Sequence, residues 1–398
     1  MTATFVHVVL NPFTHDARVL RAASLGMEMG GRVSVLAMPG PGLPESQRVD
    51  GLEVRRFGLA TRPLPRRRAW QMLKYAELVG RMTAAGVRAR PDLVHAHDLN
   101  ALPIGWAIAR LAGARLVYDS HELWADRSPG ETRPGWFLRA GRRAERFFGR
   151  RSDAVITVSD GIADLLRRDP GLRVDGIVRN LPEPAAAPPA GGAGGPGPLR
   201  RALDADPGDV VLLYQGGLHP GRGLEGLVDA VARLPRGSVV LAFLGAGSLR
   251  AALEERAAAL SLGSEVRFLD AVPPGELAAW TRDATLGLHP IEDRGLNHRY
   301  CLPNKLFEYI QAGVPVLVSD LPEMRRVVEE YRVGETCSPG DPAALAGRIG
   351  GMLSDPARLA TYRRNTVRAA SELNWNREKS RLAAVYRRLL GEPGEEAP

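Results

Sequence analysis

Cysteine is almost missing from this chain. Its 398 residues hold two, Cys301 and Cys337, with no C-x-x-C spacing. That argues against a disulfide framework or a structural zinc module and fits a reducing cytosol. No run of about 18 uninterrupted apolar residues occurs, so no membrane span is expected. The opening MTATFVHVVLNP has no basic n-region, no long apolar stretch and no small-residue cleavage site, so no signal peptide is expected. A G-x-G-x-x-G turn is missing after the first apolar run, where VLNPFTHDARV stands instead, which argues against a dehydrogenase. Basic residues interleave with aromatics only locally, which argues against a nucleic-acid binder. What is present is ordinary for a globular protein, with 44% hydrophobic and 25% charged residues. The net charge of +8 rests on an Ala-, Arg-, Gly- and Pro-rich composition and is a weak pointer to any partner. The length exceeds one ordinary core and suggests two domains at about 150 residues each.

Apolar runs alternate with helix-length segments. Residues 4–10, 32–38, 92–98, 114–120 and 153–159 read as strands rich in Val, Ile and Leu. Residues 15–30 read as a helix with Val19, Leu20, Ala23 and Met27 on one face, ended by Gly30 and Gly31. Continuous apolar strands separated by helices predict a parallel sheet covered on both faces. Residues 182–198, PEPAAAPPAGGAGGPGP, have no charge after Glu183 and read as a linker. The rhythm restarts at 210–217, 238–245, 265–271, 284–290 and 314–320. Residues 374–390 form an amphipathic helical pattern, with Leu382, Val385, Tyr386 and Leu389 on one face. The expected fold is α/β. A doubly wound domain spans 1–181 and is completed by helix 374–390; a second spans 199–373, and a cleft between the two takes ligands beyond the strands' carboxyl ends.

Polar residues gather at those ends. VHAHDLN places His95, His97 and Asp98 at one strand end, and VYDSHELW places Asp119, Ser120, His121 and Glu122 at another. Gly216 and Gly217 lead from a strand into a helix that starts near Arg222 and Gly223, and Gly245 and Gly247 form a similar turn. Glycine lets backbone amides approach a phosphate, and a helix N-terminus adds positive potential. With Arg222 and Lys305 added, the pattern points to a diphosphate. Lys305 and Glu308 stand one helical turn apart in YCLPNKLFEYIQAGVPVLVSD. His15 and Asp16 either cap the first helix or stand at the acceptor or phosphate edge of the cleft.

These segments resemble the retaining GT-B glycosyltransferases, in particular glycosyltransferase group 1 (family 4). The resemblance runs through NPFTHDARVLRAASLGMEMGGRVSVLA, the histidine segments, YQGGLHPGRGLEGLVDAVARLP, LPNKLFEYIQAGVPVLVSDLPEMRRVV and the closing helix. It implies two Rossmann-like domains with a C-terminal crossover helix and a nucleotide-diphosphate sugar held by the second domain. Glu308 matches the glutamate that holds the ribose hydroxyls. Arg222 matches the basic residue that neutralises the diphosphate, with Lys305 and the amides of Gly216 and Gly217 beside it. Gly245 belongs to the same donor surface, and Val272 stands near the base. His121 is expected beside the sugar and its anomeric carbon. His97, Asp98 and Glu122 are expected in the acceptor or sugar vicinity.

Two departures stand out. Tyr300 occupies the place of the first glutamate of E-x7-E, and a first basic donor-loop residue near Gly217 is absent. The usual sugar loop is replaced by EDRGLNHRYCLPNK, where Asn297, His298, Asn304 and main-chain amides are the candidate substitutes. The implied reaction retains anomeric configuration and needs no cofactor or metal, because arginine, lysine and helix amides carry the leaving-group charge. The D-x-D at Asp204 and Asp206 reads as a chance match in a linker. The alternatives are a GT-B nucleotide-sugar epimerase and a sugar-nucleotide-binding protein without catalysis. The acceptor stays open between small molecule, lipid and polysaccharide. The expected location is the cytoplasm. Residues 135–151 mix arginines with Trp and Phe; the favoured reading is a core-packing helix with a solvated arginine face, and the alternative is peripheral contact with an anionic membrane.

Overall fold

The alternating apolar runs become two parallel sheets, each in its own compact unit. The computed structural model describes residues 2–14, 16–65, 67–126, 134–184, 195–338 and 340–391. Residues 185–194 of the expected linker, and His15, lie outside the described residues. One unit comprises Met1–Asn180 and Glu378–Pro398; the other comprises Leu181–Arg377.

The first unit is built from β1 (Thr4–Val8), α1 (Ala17–Glu28), β2 (Arg32–Ala37), β3 (Ser46–Val49), β4 (Leu52–Arg56), α2 (Arg68–Arg88), β5 (Leu93–His97), α3 (Asp98–Ala112), β6 (Arg115–Ser120), α4 (Gly135–Gly149), β7 (Ala154–Thr157), α5 (Asp160–Arg168) and β8 (Gly176–Ile177). Its sheet runs β3-β4-β2-β1-β5-β6-β7-β8 and is parallel except for the β3–β4 hairpin. β1 and β5 are buried along their whole length, as helices on both faces require. The hairpin turns at Asp50 and Gly51, both at positive φ (48° and 85°), the conformation for which an Asp-Gly pair is suited. The sequence reading passes over it because both strands are short and half polar.

The second unit contains α6 (Pro198–Leu203), β9 (Val211–Gln215), α7 (Leu224–Val231), β10 (Val240–Leu244), α8 (Arg250–Ala259), β11 (Val266–Leu269), α9 (Pro274–Arg282), β12 (Leu286–His289), α10 (Leu296–Arg299), α11 (Asn304–Gln311), β13 (Val316–Ser319), α12 (Pro322–Tyr331), β14 (Gly334–Cys337), α13 (Pro342–Leu353) and α14 (Pro356–Glu372). Its parallel sheet runs β11-β10-β9-β12-β13-β14. Strand alternation splits the core in two: Val211 and Leu213 pack on one face of the sheet, Leu212 and Tyr214 on the other. α15 (Trp375–Leu390) begins in this unit, where the Trp375 amide donates to the Pro182 carbonyl at 2.8 Å. From Glu378 onward it belongs to the first unit, where Tyr386 is fully buried.

α4 differs from the favoured reading of its sequence. Its buried residues are Gly141, Glu145 and Gly149, while Phe147 and Trp136 are exposed. The aromatic side does not serve as the core face. Gly141 lies against the Trp124 indole, where a Cβ would come within 1.8 Å of the ring. The close helix approach therefore uses small residues, and the bulky ones are displaced outward.

Candidate functional site

Histidines crowd one face of the first unit's sheet. His7 on β1 pairs in register with His95 on β5, and His97 pairs with Asp119 on β6. The two-residue strand period turns these four side chains to one side. His95 and His97 stack with centroids 4.2 Å apart and planes 12° apart, and His7 stacks on His97 at 5.4 Å. A chain of contacts runs through the stack. His7 Nδ1 lies 3.1 Å from His97 Nε2, and His97 Nδ1 lies 3.2 Å from His121 Nε2. His95 Nδ1 lies 2.6 Å from the Tyr386 hydroxyl of α15. Stacked rings aim their lone pairs along parallel lines rather than at one point. That favours hydrogen-bond relay over ligation of a common ion by His7, His95 and His97.

Asp119 anchors the cluster. Arg18 of α1 donates to both of its oxygens, from Nε at 2.8 Å and Nη2 at 2.6 Å, and also donates from Nη1 to the Val178 carbonyl at 2.6 Å. Both partners are buried. Burial alone would raise the Asp119 pKa, but Arg18 and His121 outweigh it and hold the carboxyl well below its ordinary range. Burial pushes His7 and His95 down, and takes His97 to about 3 with help from the neighbouring His95. These three are neutral at ordinary pH. His121 goes the other way. Burial lowers its pKa, but Asp98 and Asp119 more than compensate and raise it. Its ring nitrogens face two carboxylates, Asp98 Oδ2 at 3.7 Å and Asp119 Oδ2 at 3.3 Å. His121 therefore favours its charged form more than a free imidazole does.

Asp98 opens α3 at φ 65°, an uncommon conformation for a residue with a side chain. In return its Oδ1 accepts from the His121 amide at 3.0 Å. Asp16 caps α1, accepting from the Val19 amide at 3.1 Å and from Asn11 Nδ2 at 2.8 Å. Glu122 is exposed beside His121, and its carbonyl accepts from the Ser120 hydroxyl at 3.2 Å.

The second unit has a separate constellation where β9 ends. Gln215, the last residue of β9, is buried. Its Nε2 donates to Glu308 Oε2 at 2.6 Å, and its Oε1 accepts from the Thr281 hydroxyl at 2.7 Å. Glu308 is thus fixed through one carboxylate oxygen. α11 is locked by Tyr309, whose hydroxyl bonds carbonyls of Leu213 and Leu288 and accepts from the Gln215 amide. The Tyr309 ring lies on Gly287, where a Cβ would be 2.4 Å away.

Lys305, near the start of α11, places Nζ 5.1 Å from the Tyr214 ring centroid. It crosses Gly216, where a Cβ would lie 3.1 Å from Nζ. Burial and the nearby Arg222 lower the Lys305 pKa to about 8. Arg222 is half-buried between Gly221 and Gly223, both at positive φ, and a Cβ on Gly223 would meet the Pro290 carbonyl oxygen at 2.0 Å. Among the described residues neither Lys305 nor Arg222 has a carboxylate within ion-pair distance. Beneath them lies His289, fully buried with neither ring nitrogen hydrogen-bonded, its pKa pushed well down by burial and by these two cations.

Gly245 serves packing: its Cβ would sit 2.2 Å from the Gly216 carbonyl oxygen, so the two glycine turns touch backbone to backbone. Val272 is partly buried against the unit's core. Asn304 opens α11 and is exposed, and Asn297 is half-buried on α10. His298 Nδ1 lies 2.7 Å from the Glu292 carbonyl, which occupies that nitrogen. Tyr300 ends α10 as its C-cap. Asp204 caps α6 in the left-handed conformation, so the D-x-D stretch forms a helix terminus and turn.

Arg18 lies within the NPFTHDARV stretch, where the sequence alone assigns it no role. Sequence reasoning missed His7, Gln215, Thr281 and His289. Gln215 carried the one available signal, a polar side chain closing an apolar strand ahead of the glycine turn.

Comparisons with known proteins give the chain's family and fold. Residues 15–179 match the family described as "Glycosyl transferase 4-like domain", and residues 209–355 match "Glycosyl transferases group 1". A glycogen synthase of Mycobacterium tuberculosis is 28% identical over 319 residues, covering 78% of this chain and 71% of that protein. D-inositol 3-phosphate glycosyltransferase 1 of Catenulispora acidiphila is 29% identical over 343 residues, covering 79% and 76%. Among solved structures, sucrose-phosphate synthase from Thermosynechococcus elongatus superposes with a TM-score of 0.79 at 19% identity, over 98% of this chain and 99% of that one. Anabaena HepE, solved with UDP-glucose, gives 0.72 at 18% identity over 97% and 99%. The chain belongs to the group 1 glycosyltransferases with the GT-B fold.

Proposed function

We propose that the chain transfers a sugar from a nucleotide-diphosphate sugar to an acceptor hydroxyl, with retention of anomeric configuration. The observation that carries this reading is the pair Arg222 and Lys305, two adjacent cations with no carboxylate partner among the described residues, beside a carboxylate held by Gln215. Such a pair is complementary to a diphosphate, and Glu308 keeps one oxygen for the ribose hydroxyls. The Gly217 amide and the N-terminus of α11 add donors without net charge; the Gly216 amide, expected from the sequence to face the phosphates, is instead spent on the Leu244 carbonyl at 2.8 Å. The fold shared with HepE, which is solved with UDP-glucose, supports a nucleotide-sugar donor. The epimerase-like alternative is not favoured, since the matched families and the relatives are transferases.

In this reading the bond from the anomeric carbon to the diphosphate breaks while the acceptor oxygen bonds to the same face. The acceptor proton passes to the departing phosphate oxygen. Arg222 and Lys305 take up the charge on that phosphate, and a divalent ion is not required. His121, as an imidazolium braced by Asp98 and Asp119, positions the sugar. Asp98, His97 and Asp16 act behind it or at the acceptor edge, and Asn297, Asn304 and Glu122 supply further polar groups. The test is a screen of UDP-, GDP-, ADP- and dTDP-sugars for nucleotide release, with product anomers read by NMR. Turnover that survives EDTA and gives the donor's anomer supports the reading. Release that depends wholly on Mg²⁺, or an inverted product, sinks it.

A further inference from the structure

Ten large apolar side chains are exposed among the described residues, and eight of them sit on α2, α3 and α4. These helices neighbour one another on the first unit, α3 contacting both α2 and α4. α4 presents its inverted side to solvent. Steps of three and four residues put Trp136, Arg139, Arg143 and Phe147 on one face, opposite the buried Gly141 and Glu145. Trp136 is 54% exposed and Phe147 45%; on α2, Met72 is 75% exposed.

The arginines of α4 divide into two sets. Arg142 and Arg146 pair with Asp169 at 3.2 and 3.3 Å. Arg139 and Arg143, on the aromatic face, are exposed and have no carboxylate partner among the described residues. Arg67, at the head of α2, is likewise exposed and has no carboxylate partner among the described residues.

The surface is tied to the histidine site. The Tyr75 hydroxyl of α2 donates to the Asn100 carbonyl at 2.9 Å, and Trp124 Nε1 donates to Asn100 Oδ1 at 2.9 Å. The Trp124 ring in turn lies 5.4 Å from the Phe137 ring of α4, tilted by 45°, and fills the notch at Gly141. Asn100 lies two residues after Asp98, and Trp124 three after His121. The heads of α2 and α4 are thus joined to the loop that holds His121.

We propose that this face of α2 and α4 docks the first unit on an anionic lipid surface, with the His121 loop brought to headgroup level. Two features choose that occupant. Indole and long arginine side chains share a face, which suits the boundary between acyl chains and anionic headgroups. Among the described residues the unpaired charge on this face is of one sign, so a second copy of the same face would be repelled.

The test is co-sedimentation of the full chain with phosphatidylcholine vesicles, with and without phosphatidylglycerol. Binding is expected only with the anionic lipid, and it should weaken with added salt. Arg139→Gln with Arg143→Gln should lower partitioning about 30-fold, about five-fold for each arginine. Trp136→Ser should lower it as well, whereas Arg142→Gln, whose guanidinium is tied to Asp169, should not. A UDP thermal shift on each variant reports the nucleotide site separately, so its failure would count against the transferase reading and not against docking. Absence of sedimentation at low salt, or equal binding to neutral vesicles, overturns the proposal. Self-association abolished by the same variants also overturns it, in favour of a second copy.

Discussion

The two polar clusters handle charge in opposite ways. In the first unit the charges cancel internally: Arg18 is matched by Asp119, and His121 stands between Asp119 and Asp98. In the second, Arg222 and Lys305 stand together, and the nearest fixed carboxylate, Glu308, is engaged by Gln215. A balanced buried network is a scaffold that holds one residue in place. An unbalanced pair of cations is a half-site whose other half arrives with the ligand. Substitutions should therefore separate the clusters. Changes to the first should be felt in folding, and changes to the second in binding.

The largest effect is expected at Asp119. Asp119→Ala strands a buried guanidinium and removes the carboxylate behind His121. It should destabilise the first unit by about 3–5 kcal/mol, read as a shift in denaturant midpoint. Retained stability would mean that Arg18 finds another partner. Next is Arg222→Ala. Its expected signature is a loss of about 100-fold in kcat/KM with an unchanged melting temperature, because no native ion pair is broken. A fall in stability comparable to that of Asp119→Ala would erase the contrast between the clusters. Smaller again is Glu308→Gln. The Gln215 bond can be remade with a neutral partner, so nucleotide affinity should drop about ten-fold, the weight of about one hydrogen bond to a charged group, measured by calorimetry.

Both sheets and most of their strands were legible in the sequence because buried parallel strands are written as continuous apolar runs. The candidate site could be proposed from the sequence where it depends on neighbours along the chain: His121, Arg222, Lys305 and Glu308 stand out by motif and spacing. The remainder depends on partners far apart in sequence. Gln215 and Glu308 are 93 residues apart, and His95 meets Tyr386 across 291. His7 looks like any polar residue in a strand until the β1–β5 register sets it beside His95. α4 shows another limit. Its amphipathic pattern told correctly that there are two faces, but not which one turns inward. That choice was made by Gly141 against the Trp124 ring, a contact that helical periodicity does not encode.

The finest test of the contrast is pH. The Lys305 pKa is depressed to about 8 by burial and by Arg222, so the native state disfavours its charged form. The free protein should accordingly gain stability as pH rises through about 8 toward the ordinary lysine value. Diphosphate binding works in the other direction, because an anion restores the preference for the charged amine. Affinity for a nucleoside diphosphate should be steady near neutral pH and fall above about 8, by at most about ten-fold per pH unit for one proton. His121 has the opposite sign. Its pKa is raised in the fold, so its stabilising contribution is present at low pH and is lost as pH climbs past the raised value. Binding measured from pH 6 to 10 in parallel with denaturant midpoints separates the two groups. Lys305→Arg should flatten the binding profile and leave the His121-linked stability profile unmoved. If the alkaline fall in affinity persists in Lys305→Arg, the proton belongs to another group and Lys305 is not the cation the diphosphate meets.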